Sequence, residues 1–318
     1  GVSKGDIVWT SPITFVATAN SALYCGAVVD FVDIDPLTYN LCPSALEEKL
    51  KQAEQQNRLP KVIVAVHLCG QSCDMKSIKR LADQFNVRVI EDASHAIGGK
   101  YLGEAIGGNQ FADITVFSFH PVKIITTAEG GVATTNCQDL AQKMELFRSH
   151  GVTRDSDLLQ NEADGAWYYE QLALGFNYRM TDLQAALGLS QLTRLDEFIK
   201  KRNELAKNYD IAFENSEVCS LIPADNQLSA YHFYLILLPE SDAKKHKQAI
   251  VSLREQGIFA HVHYIPVHLQ PYYQQLGFKV GDFPNSEQYY QRVISLPLYP
   301  KLTLTDQHHI IEQVKELL

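Results

Sequence analysis

Two short stretches carry residue types that could do chemistry together. Glu91-Asp92-Ala93-Ser94-His95 follows one apolar run, and Ser118-Phe119-His120-Pro121-Val122-Lys123 follows another. Thr127-Ala128-Glu129-Gly130-Gly131 comes directly after the second. A lysine drawn into a cleft is costly unless its charge is matched or lost. Imine formation with an aldehyde cofactor is one chemistry that uses such an amine. A carboxylate beside it could hold a heterocyclic nitrogen protonated, and hydroxyl and backbone donors could hold a phosphate. Asp92, Ser118 and Lys123 are that set. Each also has an ordinary reading. An Asp at a strand end often caps its own turn, and a Lys after a strand is usually solvated. Spacing alone leaves these alternatives open.

The elements that would position these residues follow a strand–helix rhythm. Val28 to Ile34 reads as a strand. Ser44 with Glu47 three residues later reads as a capping box opening a helix that carries Leu46, Leu50 and Ala53 on one face. Val62 to Val66 is a continuous apolar run, as in a strand buried on both faces. Asp74 is positioned to cap a helix with the stripe Ile78, Leu81, Ala82 and Phe85. Val87 to Ile90 and Ile114 to Phe119 are further strands. Such alternation predicts an α/β fold with a mainly parallel sheet between helices. Ligands bind such sheets beyond the carboxyl ends of the strands, here residues 67–70, 91–95 and 118–123.

The second half differs. Thr181 with Gln184 opens a long helical stretch to about Glu214, suited to bridging two domains. A strand (His232 to Leu238), a helix (about Asp242 to Gln256), a strand (Ile258 to Tyr264) and a terminal helix (about Thr305 to Leu318) then suffice for a small α/β domain. The expected division is 1–195 for the large domain and 196–318 for the linking helix and small domain. Residues 152–168 are polar and without period, which predicts a mobile loop.

Composition narrows the function classes. The chain has 318 residues, 46% hydrophobic and 20% charged, with a formal net charge of -9. That field attracts neither nucleic acid nor an anionic membrane. No apolar run is long enough to span a bilayer, and Gly1 to Asp6 lacks a signal-peptide core. Six cysteines in a chain of this length fit free thiols in a reducing cytoplasm better than a disulfide framework. Neither Cys69 and Cys73 with His67, nor His261, His263 and His268, makes a complete zinc set, so no metal is expected.

The segments TSPITFVATAN, VDID, HLCGQ, EDASHAIGGKY, FSFHPVKIITTAEGG, RSHG, GFNYRMTDLQAALGLSQL, HYIPVHLQPYY and SLPLYP resemble, in order and over essentially the whole chain, the DegT/DnrJ/EryC1/StrS family of pyridoxal-phosphate (PLP) dependent sugar aminotransferases. The resemblance implies the fold-type-I transferase architecture, with a mainly parallel seven-stranded sheet in the large domain. It implies PLP as cofactor, and amino transfer from L-glutamate to a nucleotide-linked keto sugar. The HPVK and TTAEGG variants with WYYEQLALGFNYRMTD point to C4 of a UDP-linked 4-keto-6-deoxy sugar in pseudaminic acid biosynthesis.

Residue by residue, the resemblance makes Lys123 the Schiff-base lysine and Asp92 the partner of the pyridine nitrogen. His95 matches the position near the cofactor's 3-hydroxyl, with a capping or packing histidine as the alternative. Phe15 matches a ring-stacking aromatic, or is a core Phe. Ser118 matches a phosphate ligand, or is a hydroxyl bonded to backbone. Asn177 matches an asparagine that reaches the neighbouring subunit's cofactor phosphate, which implies a homodimer; the alternative is a turn Asn. Arg179 is a candidate for substrate phosphate or for holding its own loop. Tyr264 and His268 fall near the substrate mouth or the domain contact.

Family chains normally carry an earlier segment with a small-residue turn that helps hold the PLP phosphate, and this sequence starts after it. Two other classes remain. A PLP-dependent sugar dehydratase of the same fold would keep histidine in place of Lys123. A non-catalytic regulator would bind the cofactor without turnover, but no DNA-binding pattern is present.

Overall fold

A computed structural model describes residues 1–221, 223, 226–239 and 243–317. Six strands form the central sheet: β1 (Ile7–Thr10), β2 (Val28–Phe31), β3 (Val62–Val66), β4 (Arg88–Asp92), β5 (Ile114–Ser118) and β6 (Gly131–Thr134). Their order is β2-β1-β3-β4-β5-β6. All neighbours run parallel except the β5–β6 pair. The sheet therefore has the expected mainly parallel α/β character but six strands rather than seven. Its edges are β2 and β6, and no other described strand pairs there.

Register sets where the strands end relative to one another. Val66 pairs with Asp92, and Asp92 with Val116. The carboxyl ends of β3, β4 and β5 thus finish nearly level. All five residues of β3 are buried, as its unbroken apolar run requires. Helices α1 (Val16–Tyr24), α2 (Pro43–Gln55) and α3 (Met75–Gln84) return the chain between strands. Asp74 caps α3 by accepting from Ser77 N, as its position suggests. The α2 start differs from expectation. Cys42 is the N-cap and makes no side-chain cap bond. Pro43 sits at the first helical position, where its fixed φ starts the helix by itself. Ser44 is then two residues past the cap position, and its hydroxyl lies 3.1 Å from Cys42 Sγ.

The long helix expected from Thr181 is two helices. After α4 (Gln138–Arg148) come α5 (Asp182–Leu192) and α6 (Leu195–Phe213). Thr181 and Gln184 form the expected capping box. The break is at Arg194, whose φ of -109° and ψ of 3° leave the helical region. The 152–168 region also departs from a mobile loop. Val152–Thr153 pairs antiparallel with Glu170–Gln171. The Glu170 carboxylate accepts from Gln160 N, Asn161 N, Asn161 Nδ2 and Tyr168 Oη at 2.6–2.9 Å. One acidic side chain thereby organises a polar segment that has no apolar period of its own.

The C-terminal part has a separate antiparallel sheet, β7 (Cys219–Ser220), β8 (Tyr234–Leu237) and β9 (Val293–Leu296), in that order. Helices α7 (Ala243–Glu255), α8 (Pro284–Tyr290) and α9 (Leu304–Lys315) accompany it. Asp242 and Leu318, at the ends of the expected helices, lie outside the described residues. Residues 258–264 do not form the expected strand. Only His261 bridges to Ser295. The rest of the segment makes no strand pairing among the described residues. It runs instead toward the carboxyl ends of the large sheet, where Tyr264 meets His95.

Arg202 ties α6 to the rest of the C-terminal part. Its guanidinium is buried and donates to the carbonyls of Tyr231, His232 and Leu298 at 2.8–2.9 Å. Burial lowers its pKa to about 10. Arg202→Ala removes charge-assisted bonds to largely buried carbonyls. It should lower the unfolding free energy by about 3 kcal/mol in a denaturant titration; a loss under about 0.5 kcal/mol, the usual size of a surface substitution, would contradict this account.

Candidate active site

A cavity of about 500 Å3 opens at the carboxyl ends of β3, β4 and β5. Asp92 and Ser118 are the last residues of their strands, and both line it. Lys123 reaches it from the turn after β5, where Lys123 N bonds to His120 O. Phe15 and Thr18 enter from the first turns of α1, and Tyr264 from the C-terminal part. Six sequence candidates therefore meet in one place: Phe15, Asp92, His95, Ser118, Lys123 and Tyr264.

The electrostatics are those of an amine kept partly out of water. Burial lowers the Lys123 pKa to about 8, against an opposing pull from the Asp92 charge. Desolvation wins because it acts on the whole ammonium, whereas Asp92 is already committed to other donors. Asp92 Oδ2 accepts from Thr18 Oγ1 at 2.7 Å. Its Oδ1 accepts from Ser94 N at 3.1 Å and Ser94 Oγ at 2.5 Å.

A group of imidazoles backs the cavity. His95 is buried, and its Nε2 lies 2.9 Å from Tyr264 Oη. Burial and the Lys123 charge hold its pKa well below the usual histidine range. The His232 ring lies tilted against it at 4.7 Å and is lowered for the same reasons. His263 Nδ1 meets Ser295 Oγ at 2.8 Å, and burial lowers that ring's pKa to about 3. Burial also raises the Tyr264 phenol. These rings are neutral, so Lys123 faces no fixed positive charge from them.

Three candidates lie elsewhere. His268 is fully buried and its Nε2 meets Glu287 Oε1 at 2.9 Å. Its bonding partner lies in α8, and the ring does not line the cavity. Asn177 and Arg179 are exposed on the segment before α5 and do not line the cavity either. Asn177 instead bridges Ser149 through backbone. His261 and His263 stack at 4.8 Å, each with its Nδ1 occupied by a neighbouring oxygen.

Several lining residues escaped sequence reasoning: Thr14, Thr18, Ser94, His120 and Glu129. Ser94 was legible, because a hydroxyl two residues after an Asp commonly closes a turn on it. Thr14 and Thr18 fall four apart, on one face of a helix start. Nothing in the sequence says which element that face meets.

The residues fit PLP. The cofactor needs an amine more readily deprotonated than an ordinary lysine, a carboxylate for its pyridine nitrogen and donors for its phosphate. Lys123 and Asp92 meet the first two needs, and Ser118 offers a hydroxyl. His95 Nδ1 is a buried nitrogen without a hydrogen-bond partner among the described residues.

A family model described as the DegT/DnrJ/EryC1/StrS aminotransferase family matches residues 1–315. The spore coat polysaccharide biosynthesis protein SpsC of Bacillus subtilis is 40% identical over 323 residues, covering 100% of this chain and 80% of that protein. A UDP-4-amino-4,6-dideoxy-N-acetyl-beta-L-altrosamine transaminase of Campylobacter jejuni is 36% identical over 319 residues, covering 99% of this chain and 80% of that one. The PLP-form of Spr1654 from Streptococcus pneumoniae superposes with a TM-score of 0.88 at 28% identity, covering 99% of this chain and 81% of that chain.

An aldehyde is attacked by the neutral amine, whose fraction grows about tenfold per pH unit below the pKa and saturates above it. With Lys123 lowered to about 8, the rate at which apo-protein and PLP form their chromophore should rise to about pH 8 and then level. A rate still climbing toward the ordinary lysine value of 10.5 would show that burial does not depress Lys123.

Proposed function

The chain belongs to the DegT/DnrJ/EryC1/StrS aminotransferase family, and on that premise we propose that it moves the amino group of L-glutamate to C4 of a UDP-linked 4-keto-6-deoxy sugar in pseudaminic acid biosynthesis. Its broader activity is that of a PLP-dependent sugar aminotransferase. The observation that carries the site assignment is the depressed Lys123 amine, which faces the same cavity as Asp92, a carboxylate held by protein donors. Likeness to the Campylobacter transaminase supports the sugar.

When bound, PLP supplies an electron sink that lets a C–H bond next to nitrogen ionise. The chain's own residues do the rest. Lys123 Nζ holds the cofactor through its neutral amine. With the donor bound, the free Lys123 amine would take the proton from the donor's α-carbon and pass it to the cofactor's C4′ carbon, and in the sugar half would carry a proton from that carbon to the sugar's C4. Asp92 would hold the proton on the pyridine nitrogen. Phe15 would cover the ring, Ser118 would bind phosphate and His95 would lie beside the 3-hydroxyl. Tyr264 is held by His95 at the face where a sugar would enter, and Arg179 is a candidate for its phosphates.

A homodimer completes this reading, with Asn177 reaching the partner's phosphate site. Its support is the exposure of Phe147, Phe176, Leu183 and Leu189 around Asn177, an apolar extent unusual for a free surface. Residues 1–195 then form the cofactor-binding part and 196–318 the linking helix and small part. The described cysteines are all unpaired, which supports a cytoplasmic location.

Lys123→Ala should remove the Schiff-base band and reduce turnover on the order of 10^4-fold. Initial rates with glutamate and keto sugar both varied should give parallel lines. A panel of UDP- and dTDP-linked keto sugars identifies the acceptor; preference for a dTDP sugar would reject the proposed one. Mixing inactive Lys123→Ala and Asn177→Ala subunits, with exchange, should restore part of the activity, because one site of each hybrid is intact. No recovery despite exchange would place Asn177 within its own subunit's function.

A further inference from the structure

Asp92 is gripped from two independent elements. Ser94 binds Oδ1 through both its N–H and its hydroxyl. That grip is local: Ser94 follows Asp92 by two residues, so the two move together. The second grip comes from α1. Thr18 Oγ1 lies 2.7 Å from Asp92 Oδ2, across 74 residues of sequence. An ionised carboxylate only accepts, so Thr18 is the donor. The Thr18 oxygen is then free to accept, and Thr14 Oγ1 stands 2.8 Å away. The chain runs Thr14 to Thr18 to Asp92, each hydroxyl polarising the next. Both threonines are buried, so water does not readily replace either. A β-branched side chain in a helix has few rotamers, which makes Thr18 a stiff clamp.

We propose that Thr18, supported by Thr14, is a positioning residue that fixes the plane of the Asp92 carboxylate toward the cofactor's ring nitrogen. The inference rests on the reading of Asp92 as the partner of that nitrogen. Without Thr18, the carboxylate keeps only its local Ser94 anchor and turns about its own side-chain torsions. The same first turns of α1 also carry Phe15 into the cavity. One short helix thereby sets both the face that covers the ring and the carboxylate that meets its edge.

The test uses apo-protein and two cofactors: PLP, and 1-deaza-PLP, in which C–H replaces the ring nitrogen. Dissociation constants are measured by equilibrium dialysis for wild type, Thr18→Val, Thr18→Ser and Asp92→Ala. Thr18→Val should weaken PLP about tenfold, the size of one charge-assisted bond. It should change 1-deaza-PLP by less than about twofold, within the scatter of a neutral substitution. Thr18→Ser should retain wild-type PLP binding. Intact 1-deaza-PLP binding also reports that the Thr18→Val cavity is folded. Equal weakening of both cofactors, or no weakening of PLP, overturns the proposal while Asp92→Ala still abolishes the preference for PLP. If Asp92→Ala keeps that preference, the reading of Asp92 fails and the Thr18 proposal falls with it.

Discussion

The desolvation of one amine governs this molecule's chemistry. Lys123 would be an ordinary ammonium in water, and water is what the cavity walls partly remove. A charged lysine there is disfavoured, so a reaction that uses its neutral amine is favoured. The same walls decide the state of everything around it. His95 and His232 stay neutral because they are buried and face that potential charge. Asp92 is held in place by three donors. An amine kept partly out of water and a carboxylate that must meet protein donors are different demands on one small volume.

Backbone register is what lets those demands coexist. The Val66–Asp92–Val116 alignment brings three strand ends level. His67 N also bonds to Asp92 O, extending the β3–β4 ladder by one step past the strand. The carboxylate therefore projects from a rigid ledge, while Lys123 comes from a turn just beyond β5. The C-terminal part closes the opposite wall. Residues 261–264 leave the small sheet after a single bridge and deliver Tyr264 to His95. Had that segment continued as a strand, its backbone would be paired along β9 and Tyr264 would stay with the small sheet.

Much of the fold was legible in the chain. Val62–Val66 could be read as a central strand because a segment covered on both faces must be apolar at every position. Asp74 and Thr181 declared helix starts because capping needs a short polar side chain at one position. Ser44 lost its expected cap to Pro43 next to it. The α5–α6 break has neither glycine nor proline, and only the φ of Arg194 marks it. Other departures depended on partners distant in sequence. His268 looked available beside other histidines, yet Glu287, 19 residues on, occupies it. Glu170 looked like one acid among several, but it organises the polar segment before it.

The sequence by itself determined the strand–helix alternation, the placing of Asp92, Ser118 and Lys123 at strand ends, and through motif likeness the family and cofactor. Periodicity and capping are local properties, and a motif keeps its order along the chain, so both survive in one dimension. Only the tertiary structure decided how far the Lys123 amine is removed from water, that Thr18 rather than another hydroxyl holds Asp92, and that Tyr264 joins the cavity while His268 does not. Burial and long-range hydrogen bonds depend on which surfaces meet, and that is fixed when the elements pack. Lys123 could be read as reactive from its neighbours in the chain, but its depressed pKa comes from neighbours in space.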